Sequence, residues 1–115
     1  MAAHEKTAAL FVGTMLHSAT VTHLQHFSTK SYAQHKALQK YYEAIPDLVD
    51  AYTEAYQGRY GIITGYDVEF HKNSNPKAYV KSLLTFLDEI KGSLPKDSDL
   101  VNLFDAVVEI GRAHV

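Results

Sequence analysis

The feature that most constrains this chain is a nineteen-residue stretch with no helical period, "GRYGIITGYDVEFHKNSNP", over residues 58–76. It carries three glycines and lies between regions whose apolar residues recur at helical spacing. Links of that length are uncommon in compact domains and need a reason. One reason is geometric. If the helices on either side run parallel, their connection must travel the whole length of a bundle. The middle of the stretch, "YDVEF" at 66–70, alternates as a short extended segment does.

Four helices account for the rest. Residues 3–27 contain no Pro and one glycine, Gly13, and read as one long helix. At about 100° per residue, Val12, Leu16, Ala19, His23 and His26 share one face, and Leu10, Val21 and Leu24 share another. A helix apolar on two sides is buried on two sides, by its own bundle and by a second subunit. Ser31 and Gln34 have the spacing of a capping box, so a second helix starts at Tyr32 and stops at Gly58. Pro46 either kinks it or divides it in two, and the pattern of Leu38, Tyr41 and Ile45 resumes in phase with Val49, Tyr52 and Tyr56. Asn75 as N-cap and Pro76 at the first position open a third helix, with Val80, Leu83, Leu84, Leu87 and Ile90 inward and Gly92 at its end. Pro95 and Asp97 introduce a fourth, with Leu100, Val101, Phe104, Val107 and Val108 inward. The fold class is therefore all-α, a four-helix bundle with a long crossover between helices 2 and 3, in one domain covering residues 1–115.

A chain of 115 residues with 46% hydrophobic residues is large enough to bury a core. Its net charge of −2, with no basic run or tail, argues against nucleic-acid binding through bulk electrostatics. No cysteine is present, which removes disulfides, thiolate zinc sites, iron–sulfur clusters and cysteine nucleophiles together. Such a composition is compatible with an intracellular or a virion setting. The N-terminal region lacks the basic segment of a signal peptide, and no stretch has the apolar length of a bilayer span.

Three of the seven histidines, His23, His26 and His35, fall within thirteen residues. On the second helix Gln39, Glu43, Asp50 and Glu54 lie within roughly 100° of His35. Asp50 and Glu54, spaced i, i+4, leave the same face one turn apart. Carboxylates and imidazoles projecting from facing helices are how bundles hold iron, manganese or zinc. The plainer reading is a solvated acidic stripe beside histidines satisfied by single hydrogen bonds. Serine or threonine catalysis has no nucleophile elbow, and no phosphate-binding or dinucleotide fingerprint occurs, so no organic cofactor is expected. The eight tyrosines suit packing or a subunit interface, since they lack the interleaved Arg and Lys of a base-stacking platform.

The stretches "HFSTKSYAQHKAL" and "EAYQGRYG" resemble the first two helices of the Dps mini-ferritins, and more closely the small Dps-like proteins of tailed bacteriophages. The similarity covers about a third of the chain, with helix order and the crossover matching beyond it. It implies a ferritin-like fold and an iron site between two subunits. Carried across by position, its ligands are His26, His35, Asp50 and Glu54, with iron, or manganese or zinc, bound and a weak ferroxidase activity. An acid expected a turn after the second histidine is Gln39 here, which removes a charge from the site. The basic DNA-binding tail is absent. The resemblance further implies a homo-oligomer with helices 1 and 2 at its interface. The alternative expectation is a non-catalytic virion component, partnered by phage structural proteins, that keeps the fold without the metal.

Overall fold

The computed structural model describes residues 4–66 and 75–113, and its regular elements are helical. The helices are α1 (Glu5–Ser28), α2 (Tyr32–Tyr60), α3 (Pro76–Ile90) and α4 (Ser98–Arg112), with a 3-10 turn at Lys91–Ser93. Ser31 caps α2 by accepting the Gln34 N–H at 3.2 Å. Asn75 caps α3 by accepting the Ala78 N–H at 3.1 Å, with Pro76 following in the first turn. Helix α2 passes Pro46 unbroken, so division into two shorter helices is not realised. It also runs through Gly58 and ends at Gly61, whose φ of 98° is one that side-chain-bearing residues rarely adopt. Of the extended segment expected at 66–70, Tyr66 has no regular structure and the remainder lies outside the described residues.

Helix α1 packs on α2 and α3, α2 on α1 and α4, and α3 on α4, so the four close a ring in the order α1, α2, α4, α3. Pair contacts give the directions. His4 meets Tyr56, Phe11 meets Tyr52, Ser18 meets Tyr41 and His26 meets His35, which makes α1 and α2 antiparallel. Lys91 bonds Asp105, and Gly111 lies against Leu84, which makes α3 and α4 antiparallel. Arg59 at the end of α2 bonds Asp99 at the start of α4. Helices α2 and α3 are therefore parallel. The fifteen residues of α3 span about 22 Å at roughly 1.5 Å per residue, so Tyr60 and Asn75 sit at opposite ends of the ring, as the length of the link predicts.

The core runs along α2 through Tyr41, Ile45, Val49, Tyr52 and Tyr56, joined by Phe11 and Met15, Leu83 and Leu87, and Leu100, Phe104 and Val107. Each such side chain, once fully buried, contributes about 1.5–3 kcal/mol. The inward positions of α2 and α3 agree with the pattern, except that Leu84 is half-buried and Tyr79 is buried without having been marked. On α4, Val101 and Val108 are half-buried rather than central. The inward face of α1 differs. Its buried residues are Ala8, Ala9, Phe11, Val12, Gly13, Met15, Ser18, Val21, Thr22, Gln25 and His26, whereas Leu16 and His23 are exposed. Ser18 and Thr22 can face the core because each donates back to its own helix, to the Met15 and Ser18 carbonyls at 2.6 and 2.7 Å. Polar residues inside and leucines outside flatten the hydrophobic pattern, and the sequence-based placement of that face fails for this reason.

Candidate functional site

The candidate site begins at the turn between α1 and α2. His26 lies in the last turn of α1 and is buried, and His35 lies in the first turn of α2 and is half-buried. Three residues separate the helices, so the two rings are forced together, stacking with centroids 3.6 Å apart. Their hydrogen bonds are reciprocal. His26 Nδ1 meets the His35 carbonyl at 2.8 Å, and His35 Nδ1 meets the His26 carbonyl at 3.0 Å. A carbonyl oxygen only accepts, so both Nδ1 atoms carry hydrogen and donate. In each neutral ring the lone pair is then on Nε2. Bonding of the far ring nitrogen to a backbone carbonyl is the arrangement that orients metal-ligating histidines. The pair therefore meets the chemical requirement for two imidazole ligands.

Neighbouring rings extend the cluster. His23 stacks on Tyr42 with centroids 3.9 Å apart and planes 11° from parallel, so it is an exposed, packed residue rather than an inward one. Phe27 and Tyr32, 71% and 74% exposed, flank the histidine pair. Gln39 donates to Glu43 Oε1 at 2.8 Å, which commits its amide to a neighbour on the same helix.

Asp50 and Glu54 are exposed on the C-terminal half of α2. Fifteen residues of helix separate Asp50 from His35, about 22 Å. One protomer thus brings His26 and His35 together and keeps Asp50 and Glu54 apart from them. No group of three or more His, Asp and Glu side chains suited to a metal occurs among the described residues. Asp50 instead lines a groove of about 450 Å³ between α1 and α2, with Val12, Gly13, Leu16, His17, Thr20, Thr53 and Tyr66. His17, unmarked by any sequence motif, enters this setting only through the pairing of the two helices.

The opposite end of the ring holds a second polar cluster that the sequence did not reveal. His4 Nδ1 meets the Tyr56 hydroxyl at 2.7 Å, Tyr60 donates to Asp97, and Arg59 reaches Asp99 at 2.8 Å and Asp97 at 3.8 Å. Arg59 holds the Asp99 carboxyl below its ordinary range, and the bond to Asp97 raises the Tyr60 phenol. These contacts tie α1, α2 and α4 at one end.

A family model matches residues 26–114, more than half of the chain, beginning at the first of the paired histidines; it describes DUF5856, a family of unknown function. The chain belongs to this family. One related sequence is the "Uncharacterized 14.6 kDa protein in mobD-ri intergenic region" of Enterobacteria phage T4, 39% identical over 51 residues. That alignment takes in 44% of this DUF5856 chain and 40% of the phage protein, so the chain spans less than half the length of its relative. No solved structure matches the chain. No helix among its described residues is long and apolar enough to cross a membrane.

Proposed function

We propose that this DUF5856 protein is a mini-ferritin-like, phage-related protein that binds iron, or manganese or zinc, at a site shared between two copies. His26 and His35 of one copy would supply two nitrogen ligands, and Asp50 and Glu54 of the other would supply carboxylate oxygens. The observation that carries this reading is the reciprocal bonding of the two imidazoles, which commits both Nδ1 atoms and leaves both Nε2 lone pairs for a ligand. The parallel course of α2 and α3 supports a ferritin-like assignment. Bound iron would bring one-electron redox chemistry. The chain's own contribution is to fix ring orientation and to supply negative charge.

The test is titration of the native protein with Fe(II) and Zn(II), followed by calorimetry or metal analysis. Binding should be lost when Asp50→Asn and Glu54→Gln are combined, with helix content unchanged. Gln39→Asp should tighten binding, because a carboxylate replaces a neutral amide a turn from His35. Absence of binding by both the native protein and Gln39→Asp would refute the reading. The uncharged, exposed face of α1 favours a second reading, a virion or interaction component without metal chemistry; that outcome would then stand.

A further inference from the structure

The tyrosines along α2 differ in what their hydroxyls meet. Tyr41 bonds Ser18 at 2.8 Å, Tyr56 bonds His4 at 2.7 Å, and Tyr60 donates to Asp97. Tyr52 is 1% exposed, and its buried hydroxyl forms no hydrogen bond among the described residues. A buried hydroxyl left unpaired lowers stability. Phenylalanine would pack against Phe11 in the same way without that cost. Packing alone therefore does not account for the oxygen.

Tyr52 also lines a cavity of about 190 Å³ at the seam of α2 and α4, bordered by the link between α3 and α4. Its walls include Leu94, Leu100 and Phe104, all buried, so its interior is chiefly apolar. The charged residues on its lining are two lysines, Lys91 and Lys96, with no carboxylate among them. Lys91 is committed to Asp105 at 2.9 Å. Lys96 donates to the Lys91 carbonyl at 3.2 Å and forms no ion pair among the described residues. An ammonium carries three hydrogens, so two remain for a further acceptor.

Size, walls and charge together select an occupant. The volume suits a single ring, since an apolar cavity of about 150 Å³ holds benzene. The apolar walls favour carbon, with a few polar groups to fix orientation. A cationic lining beside an unpaired hydroxyl calls for an acceptor oxygen that carries negative charge. A dianion such as inorganic phosphate would meet apolar walls and one uncommitted cation, which burial penalises. We propose that this cavity binds a small carboxylic acid carrying one ring, with the ring against Leu94, Leu100 and Phe104 and the carboxylate served by Tyr52 and Lys96. Burial holds the Tyr52 phenol well above its ordinary range, so it remains a donor at neutral pH. The cavity shares no residue with His26, His35, Asp50 and Glu54, and the proposal stands apart from the metal reading.

Benzoate is the probe, titrated into the native protein in EDTA so that metal takes no part, and followed by calorimetry and by the aromatic ring signals in NMR. One benzoate per chain should bind and shift the ring signals of Tyr52 and Phe104. Benzyl alcohol, which keeps the ring and lacks the charge, should bind roughly tenfold more weakly, and benzylammonium more weakly still. Tyr52→Phe should weaken benzoate binding by roughly ten- to a hundredfold, while thermal stability stays level or rises because an unpaired hydroxyl is gone. Lys96→Glu alters an exposed residue and should weaken binding at least as much, which keeps the test decisive if Tyr52→Phe fails to fold. No benzoate binding at millimolar concentration would overturn the proposal. So would benzoate binding that either folded variant leaves intact, or equal binding of the three probes, which would mark a cavity that takes any ring.

Discussion

At the scale of single residues, burial sets both the hydrogen bonding of the histidines and the ionisation of the tyrosines. Tyr79 is buried, and desolvation pushes its phenol from 10.0 up to about 12; burial likewise holds Tyr41 and Tyr52 well above the ordinary range. The unfolded chain ionises tyrosine near its usual value of about 10. The stabilisation from keeping Tyr79 neutral is therefore complete below about pH 10 and disappears as pH rises toward 12. A difference of that size corresponds to roughly 2–3 kcal/mol. Urea midpoints measured across this range should fall steeply in the native protein, and less steeply in Tyr79→Phe. The metal reading has the opposite pH sign: imidazole must be unprotonated to bind, so metal occupancy should fall as the solution is acidified. The sequence showed that His26, His35, Asp50 and Glu54 are ligand types and that the two carboxylates share a face. The reciprocal carbonyl bonds were not legible, because they depend on how closely the three-residue turn brings two backbones together. His17 was missed for a related reason, since its place in the Asp50 groove arises only when α1 meets α2.

At the scale of elements, boundaries were legible wherever a side chain caps a helix, as Ser31 and Asn75 do. Asn75→Ala should cost about 1 kcal/mol of stability, since the Ala78 N–H loses its acceptor. The end of α2 was placed early because Gly58 suggests a stop, yet the positive φ falls at Gly61. A glycine that needs no special conformation is only a weak helix former. Pro46 removes the N–H that would bond the Tyr42 carbonyl while α2 continues past it. Pro46→Ala should therefore raise stability by about 1–3 kcal/mol in urea denaturation. A decrease would mean that the core is fitted to the course the proline imposes. The face of α1 was misplaced for the reason that makes it interesting: its inward side includes Ser18 and Thr22, and its outward side includes Leu10, Leu16 and Leu24.

At the scale of the whole molecule, the closed ring and the parallel pair α2 and α3 were legible from one long link, because a connection between opposite ends must be long. Which side of α1 faces the core was not legible from periodicity, which counts apolar residues without telling which neighbour covers them. The short turn at residues 29–31 has a consequence in time as well as in space. Closing a loop costs more entropy as the loop lengthens, and contacts between segments near in sequence form early. The α1–α2 hairpin closes through three residues, whereas α3 must be returned across the link from Gly61 to Asn75. The hairpin should form first and open last. Native-state hydrogen exchange should find the slowest amides within Phe11–Thr22 and Tyr41–Tyr56, with α3 and α4 exchanging sooner. The two imidazoles at the hairpin turn would then take up their reciprocal bonds before the later helices arrive, so a nascent chain would carry an ordered histidine pair while half of its core was still unformed.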